Sequence, residues 1–179
     1  MSTDATVLQS RKQRLSELSE FADQLEGRSA EDILNWAASR FGKGLTFATG
    51  FGAEGCVLID LIGKNKLPID IFTLDTGLLF QETYHLWHRL EARYNITIRG
   101  IVPELDVDQQ AKTYGDRLWE RSPDKCCNIR KVIPLKATLA NVDAWVTAIR
   151  RDQTTERANA KVIEWDHKFN IVKVNPLVK

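Results

Sequence analysis

The chain has 179 residues, with 25 Lys and Arg against 24 Asp and Glu, a formal net charge of +1 and 43% hydrophobic residues. That length fits one domain at roughly 150 residues per domain and is enough to bury a core without staples, while the near-neutral balance excludes a global pull toward nucleic acid or a membrane surface. No apolar run approaches the roughly 20 residues that span a bilayer, and Met1 to Leu25 is polar and charged with no signal-peptide core, so a cytoplasmic location is expected.

Leu8, Leu15, Leu18, Ala22 and Leu25 recur at helical spacing and predict an amphipathic helix over 7–26, ended by Gly27. Ser29 is placed to cap a second helix over 30–40, with Asp32 at the acidic third position. These N-terminal helices, about 1–40, precede a change of pattern. Leu45–Thr49 is a short β-rich run that leads through a glycine loop into a helix over 56–63. The pattern repeats as a strand over 69–74, a loop and a helix over 80–94; a third strand is predicted over 96–102. Polar helical segments over 106–120 and 125–140 follow, then strands over 144–149 and 170–174. Apolar strands alternating with helices predict an α/β fold, a mostly parallel sheet flanked by helices, in a single domain over 1–179. Ligands of such sheets bind outside the carboxyl ends of the strands, where this chain carries its three most distinctive loops.

The first is Thr49-Gly50-Phe51-Gly52-Ala53-Glu54-Gly55. Three glycines between strand and helix let backbone N–H groups turn toward an anion at a helix N-terminus, with Thr49, Gly50, Gly52 and Gly55 as candidates; a plain tight turn is the alternative. No Gly-Lys-Ser/Thr follows, so it is not a Walker A loop. The second loop holds Asp75, Thr76 and Gly77, followed by Leu78-Leu79-Phe80. Asp75 could accept hydrogen bonds from a ribose or an adenine, or could cap the next helix with Thr76. The three apolar residues could wall a base or belong to the core. The third loop, Arg150–Arg157, brings Arg150, Arg151 and Arg157 to one strand end. Guanidiniums grip planar oxyanions with two parallel bonds, although Asp152 and Glu156 could equally make this a solvated surface loop.

Cys126 and Cys127 sit side by side between Lys125 and the Arg130-Lys131 pair. Cations favour the thiolate that attacks or binds metal. Adjacent cysteines are poorly shaped to bridge each other, and the only other cysteine is Cys56, read as core. Two thiols are half of the set that an iron–sulfur cluster usually needs. His85 and His88 lie at helical spacing with no third ligand placed by sequence and are read as helix-surface residues; His167 is isolated.

Phe47–Leu61, Thr73–Tyr84, Lys125–Leu135 and Trp145–Ala158, in this order and spacing, resemble the phosphoadenylyl-sulfate/adenylyl-sulfate reductase family over roughly residues 20–178. The resemblance implies an adenine-nucleotide α-hydrolase-like fold with a modified pyrophosphate loop. Thr49 stands where the family often has Ser, and Thr147-Ala148 where it typically has Thr-Gly. The Cys-Cys pair followed by Arg-Lys resembles the subgroup that holds a 4Fe-4S cluster and prefers adenylyl sulfate (APS) to its 3′-phosphorylated relative (PAPS). It implies an oxidoreductase acting on a sulfur group, reducing APS to sulfite and AMP with thioredoxin as electron donor, in sulfate assimilation and cysteine biosynthesis. Cys126 and Cys127 would be cluster ligands. Lys131 would bridge the cluster region and the substrate sulfate, and the arginine loop would hold the substrate's anionic groups. In the family the chain runs on past the stretch ending here at Lys179, to a second Cys-x-x-Cys pair and a tail with the nucleophilic cysteine. The expectation is therefore a C-terminally truncated member, inactive by itself, with no catalytic residue in this chain. No nucleic-acid or membrane partner is expected, and a homo-oligomer is left open. The rival readings are a PAPS reductase, an ATP pyrophosphatase relative and a non-catalytic nucleotide-binding remnant.

Overall fold

Short apolar runs and glycine-punctuated helices settle into a six-stranded sheet of order β3-β2-β1-β4-β6-β5 in the computed structural model, which describes residues 16–179. The first half of the expected helix over 7–26 lies outside the described residues; residues 16–25 are helical and are called α1. α2 spans Ala30–Phe41, and Ser29 caps it by accepting from the Asp32 amide at 3.0 Å, as its position before the first acidic turn suggests. β1 (Leu45–Thr49), α3 (Ala53–Lys64), β2 (Asp70–Leu74), α4 (Gln81–Tyr94) and β3 (Ile98–Ile101) follow. β1 pairs with β2, and β2 with β3, in parallel.

The expected helix over 106–120 is broken. α5 (Val107–Tyr114) starts on a reciprocal capping box between Asp106 and Gln109. It stops at Gly115, whose φ of 83° cannot continue a right-handed helix. α6 (Leu118–Arg121) is a single turn. The expected helix over 125–140 comes in three parts: α7 (Pro123–Cys127), a π-helical turn over Asn128–Val132, and α8 (Ile133–Leu139). Pro134 explains the widened turn. It has no N–H to donate, and its ring would meet the Arg130 carbonyl in an unbroken α-helix.

β4 (Ala144–Val146) lies on the other side of β1, parallel to it, and β6 (Ile171–Val174) runs parallel to β4. Sequence reading carries β4 on to residue 149. The regular strand ends at Val146, although Thr147 still donates its N–H to the Val174 carbonyl at 2.9 Å and its hydroxyl to Asn175 Oδ1 at 2.5 Å. It also misses β5 (Ile163–Asp166), which folds back antiparallel on β6 through a turn with Asn170 at φ 58°. Alternate strand residues face opposite sides. Phe47, Ile71, Val146 and Val172 join α1–α4 in the larger core cluster, and Phe72, Trp145 and Ile171 join Leu139 of α8 in the smaller one. β1 leads outward to β2 and β3, whereas the chain later returns to its opposite side as β4. The carboxyl ends of β1 and β4 therefore flank a topological switch point.

Candidate functional site

The loop after β1 is built around a hydroxyl. Thr49 Oγ1 accepts from the Phe51 amide at 3.1 Å, and a Cβ on Gly55 would come within 2.9 Å of that oxygen. Gly55 is thus required for α3 to begin so close to the strand end. Phe51 is buried at a φ of 60° and stacks on Trp87 with centroids 5.8 Å apart. A bulky residue in the left-handed region is strained and is kept only where its surroundings enforce it; here the aromatic anchor does so. Its identity as the loop's anchor was not legible in the sequence. Gly52 caps α3 with no side-chain acceptor; the first-turn N–H of Glu54 meets its own carboxylate, and the remaining first-turn N–H groups keep the anion-binding capacity of a helix N-terminus.

The loop after β4 meets this one across the switch point. Arg150 Nη1 lies 3.1 Å from Glu54 Oε1, and Gln153 Nε2 donates to the same oxygen at 3.1 Å. Glu54's own backbone amide, then Gln153, then the Arg150 charge hold its carboxyl below the usual range. Gln153 is a hub that sequence reading did not single out. Its Oε1 accepts from the Arg150 amide at 3.1 Å and from Arg157 Nη1. The three arginines do not form one clamp. The Arg157 guanidinium and the Arg150 backbone amide converge on Gln153, while the Arg150 guanidinium lies between Glu54 and Asp152, its Nε donating to Asp152 Oδ1 at 2.9 Å, and Arg151 turns away. Its Nη1 and Nη2 bond Glu26 at 2.8 and 2.9 Å, and its Nε bonds the Ala160 carbonyl at 2.9 Å. The structure thus does not bring the three arginines together: the Arg151 side chain fastens the loop to the end of α1.

A second cluster forms beyond β2. Asp75 Oδ1 accepts from the Gly77 amide at 3.0 Å and the Tyr84 hydroxyl at 2.6 Å, and Thr76 Oγ1 accepts from the Leu78 amide at 3.2 Å. The loop is therefore self-capped. The Asp75 hydrogen bond, then burial, push Tyr84 up to about 12. Leu78 and Phe80 are not core, at 39% and 80% exposure. With Thr76, Leu79, Trp119, Cys126, Cys127 and Lys131 they line a cavity of about 450 Å³. A second cavity of about 430 Å³ holds Asp75, Gly77, Glu104 and Asp106, and the Arg130 side chain borders both.

Of the cations expected beside the cysteines, Lys131 lines the cavity, but Lys125 lies over the Tyr114 ring at 4.2 Å. Arg130 is 2% exposed. It donates from Nε to the Thr76 carbonyl at 2.5 Å and from Nη1 to the Leu105 carbonyl and Gln110 Oε1, both at 3.1 Å. Cys126 is buried and Cys127 exposed. Cys56 lies apart on α3, its thiol 3.6 Å from the Phe51 carbonyl and pushed up by burial. No group of three or more His, Cys, Asp or Glu converges on a metal-sized site among the described residues. The chain's own residues thus offer two neighbouring thiols and do not complete a four-thiolate set. His85 and His88 are exposed on α4, as read. No helix among the described residues is long and apolar enough to cross a membrane.

A model of the phosphoadenosine phosphosulfate reductase domain matches residues 44–179. An adenosine 5'-phosphosulfate reductase of Halalkalibacterium halodurans is 43% identical over 162 residues, covering 90% of this chain and 70% of the relative. Adenosine 5'-phosphosulfate reductase 1 of Bacillus subtilis is 46% identical over 154 residues, 84% of this chain and 65% of the relative. The crystal structure of a phosphoadenylyl-sulfate reductase from Candida auris, a phosphate complex, superposes with a TM-score of 0.79 at 32% identity, over 89% of this chain and 77% of that one.

Proposed function

The chain belongs to the phosphoadenosine phosphosulfate reductase domain family, and from that premise we propose that it binds adenylyl sulfate and serves its reduction to sulfite and AMP. One observation carries the proposal: Glu54 joins the glycine loop after β1 to Arg150 and Gln153 after β4, across the switch point where α/β sheets take their ligands. The remaining α3 first-turn N–H groups take the nucleotide phosphate. Arg150, now neutralised by Glu54, turns to the substrate's anionic end. Asp75, with one oxygen held by Gly77 and Tyr84, offers its other to the nucleoside.

In the reaction a cysteine thiolate supplied from outside this chain's three cysteines attacks the sulfate sulfur, the S–O bond to AMP breaks with AMP as the leaving group, and that cysteine carries the sulfonate. A dithiol donor of the thioredoxin type then displaces sulfite and is itself oxidised to the disulfide. None of this chain's three cysteines takes the attacking role in this proposal. Cys56 is kept protonated by burial, and Cys126 and Cys127 are two of the four thiolates of an iron–sulfur cluster. Their placement beside Lys131 in one cavity supports that assignment. Assimilatory sulfate reduction for cysteine synthesis, in the cytoplasm, is the corresponding cellular role.

A PAPS reductase is the second reading, favoured by the Candida auris structure. Calorimetric titration of the folded chain with AMP, APS, PAPS and ATP tests both. Binding of AMP and APS in preference to ATP and PAPS is expected. A folded sample that binds none of them overturns the proposal, and a preference for PAPS moves it to the second reading.

A further inference from the structure

Gln110 is a polar side chain in an apolar-sized slot. It lies on α5 at 1% exposure, among the largest fully buried side chains of the chain. A leucine has nearly the same volume and carries no desolvation cost, so a buried amide calls for partners. It has two, and they are chemically ordered. Arg130 Nη1 donates to Gln110 Oε1 at 3.1 Å. A guanidinium only donates, so that bond fixes which end of the amide is oxygen. The NH₂ end is then left facing Cys126 Sγ, 3.8 Å away. Cys126 is 6% exposed. The Lys125 ammonium over the Tyr114 ring, 4.2 Å from its centroid, clamps α7 to α5 and holds the two partners in register.

We propose that Gln110 is a positioning residue for the Cys126 sulfur. Oriented by Arg130, its amide donates an N–H···S bond that holds this sulfur at the wall of the cavity shared with Thr76 and Lys131, while Cys127 stays exposed. The chain of contacts runs Thr76 carbonyl, Arg130, Gln110, Cys126 sulfur, so the nucleotide-side loop and the thiol are tied by a single buried path. The proposal deepens the reading of the cysteine pair given above and rests on it.

The test uses the full 179-residue chain, labelled with nitrogen-15. The Gln110 side-chain amide resonances are assigned by their loss in Gln110→Glu. Cys126→Ala is expected to shift them and Cys127→Ala to leave them in place. In parallel, modification by N-ethylmaleimide is followed residue by residue by mass spectrometry. Gln110→Glu keeps an acceptor for Arg130 but removes the donor to sulfur; Gln110→Leu removes both. Each removes the N–H that favours the Cys126 thiolate, the form that adds to the reagent, and is expected to lower Cys126 modification relative to Cys127 by about five-fold, the factor that about 1 kcal/mol of hydrogen-bond free energy represents. Cys56 modification, unchanged, reports that the fold is intact. Amide resonances indifferent to Cys126→Ala overturn the proposal. So does an effect confined to Gln110→Leu, which would assign Gln110 to Arg130 alone. Nucleotide titration of the same samples reads the functional proposal separately, since loss of AMP binding leaves the amide and labelling results standing.

Discussion

The Arg130 guanidinium donates to the Thr76 carbonyl at 2.5 Å across 54 positions of sequence, and both groups are buried. The bond joins the π-helical turn after the cysteine pair to the loop after β2, so the cavity between them has a fixed wall. Arg130→Met leaves the Thr76 and Leu105 carbonyls and Gln110 Oε1 without their donor. Each charge-assisted bond is worth on the order of 1.5–3 kcal/mol, and the losses do not add fully. A destabilisation of about 3 kcal/mol or more is expected from the urea midpoint. Arg130→Lys should fall between the two, because an ammonium keeps the charge but not the planar fork.

Arg150 and Arg151 are neighbours with different tasks. Arg150→Ala is expected to weaken APS binding by roughly ten-fold or more beyond its effect on AMP, as loss of a charge-assisted contact to sulfate requires. Arg151→Ala should leave that selectivity unchanged and cost about 0.5–1 kcal/mol of stability, the range for a partly exposed pair. Calorimetry with both ligands and thermal melting separate the two outcomes. An equal loss of AMP and APS affinity in Arg150→Ala would place this residue on the α-phosphate.

The Glu26–Arg151 pair also sets a pH dependence. The hydrogen bond from Arg151, first, and then its charge hold the Glu26 carboxyl below its usual value of 4.5. A lowered folded value means that the pair's contribution is present above that usual value and is lost as pH falls through the lowered one. Melting temperatures of the parent chain and Glu26→Gln should therefore differ at neutral pH and converge in acid.

Tyr84 gives the opposite sign. Its hydroxyl bonds Asp75 and titrates at about 12 rather than 10.0. The bond's contribution, on the order of 1 kcal/mol, is complete below pH 10 and is lost as pH rises from there through about 12. Tyr84→Phe should remove one late phenolate step from an ultraviolet titration. Asp75→Asn should move that step to lower pH.

Gly55 and Thr49 should behave as a pair. A Cβ on Gly55 would lie 2.9 Å from Thr49 Oγ1, so Gly55→Ala forces the hydroxyl off the Phe51 amide, at about 1–3 kcal/mol for an overpacked site. Thr49→Ala removes the obstructing oxygen. The double variant is expected to lose less than the sum of the single ones in a double-mutant cycle. Full additivity would separate the two residues.

Several parts of the fold were legible because they rest on local chemistry. The run Leu45–Thr49 reads as a strand and becomes β1, and Ser29 reads as a cap and is one. The three loops at strand ends read as ligand loops, and two of them meet. β5 was not legible. Ile163-Glu164-Trp165-Asp166 is short and half polar, and it becomes a strand only because β6 leaves an edge for it. Gly115 gave the only local hint that the helix over 106–120 would break.

The α/β class, the alternation of strand and helix from β1 to β3 and the residues that cluster at the strand ends were readable along the chain, because hydrophobic period, helix caps and glycine turns act between near neighbours. What each charged and polar group faces was set by packing between elements far apart in the chain. Arg151 finds Glu26 at a separation of 125 residues, Arg150 finds Glu54, Arg130 is buried against carbonyls, and Gln110 meets Cys126. The reason is physical. A desolvated cation or amide takes whichever oxygens the packed elements bring to it, and those distances are set by the crossing of sheet and helices rather than by spacing along the chain.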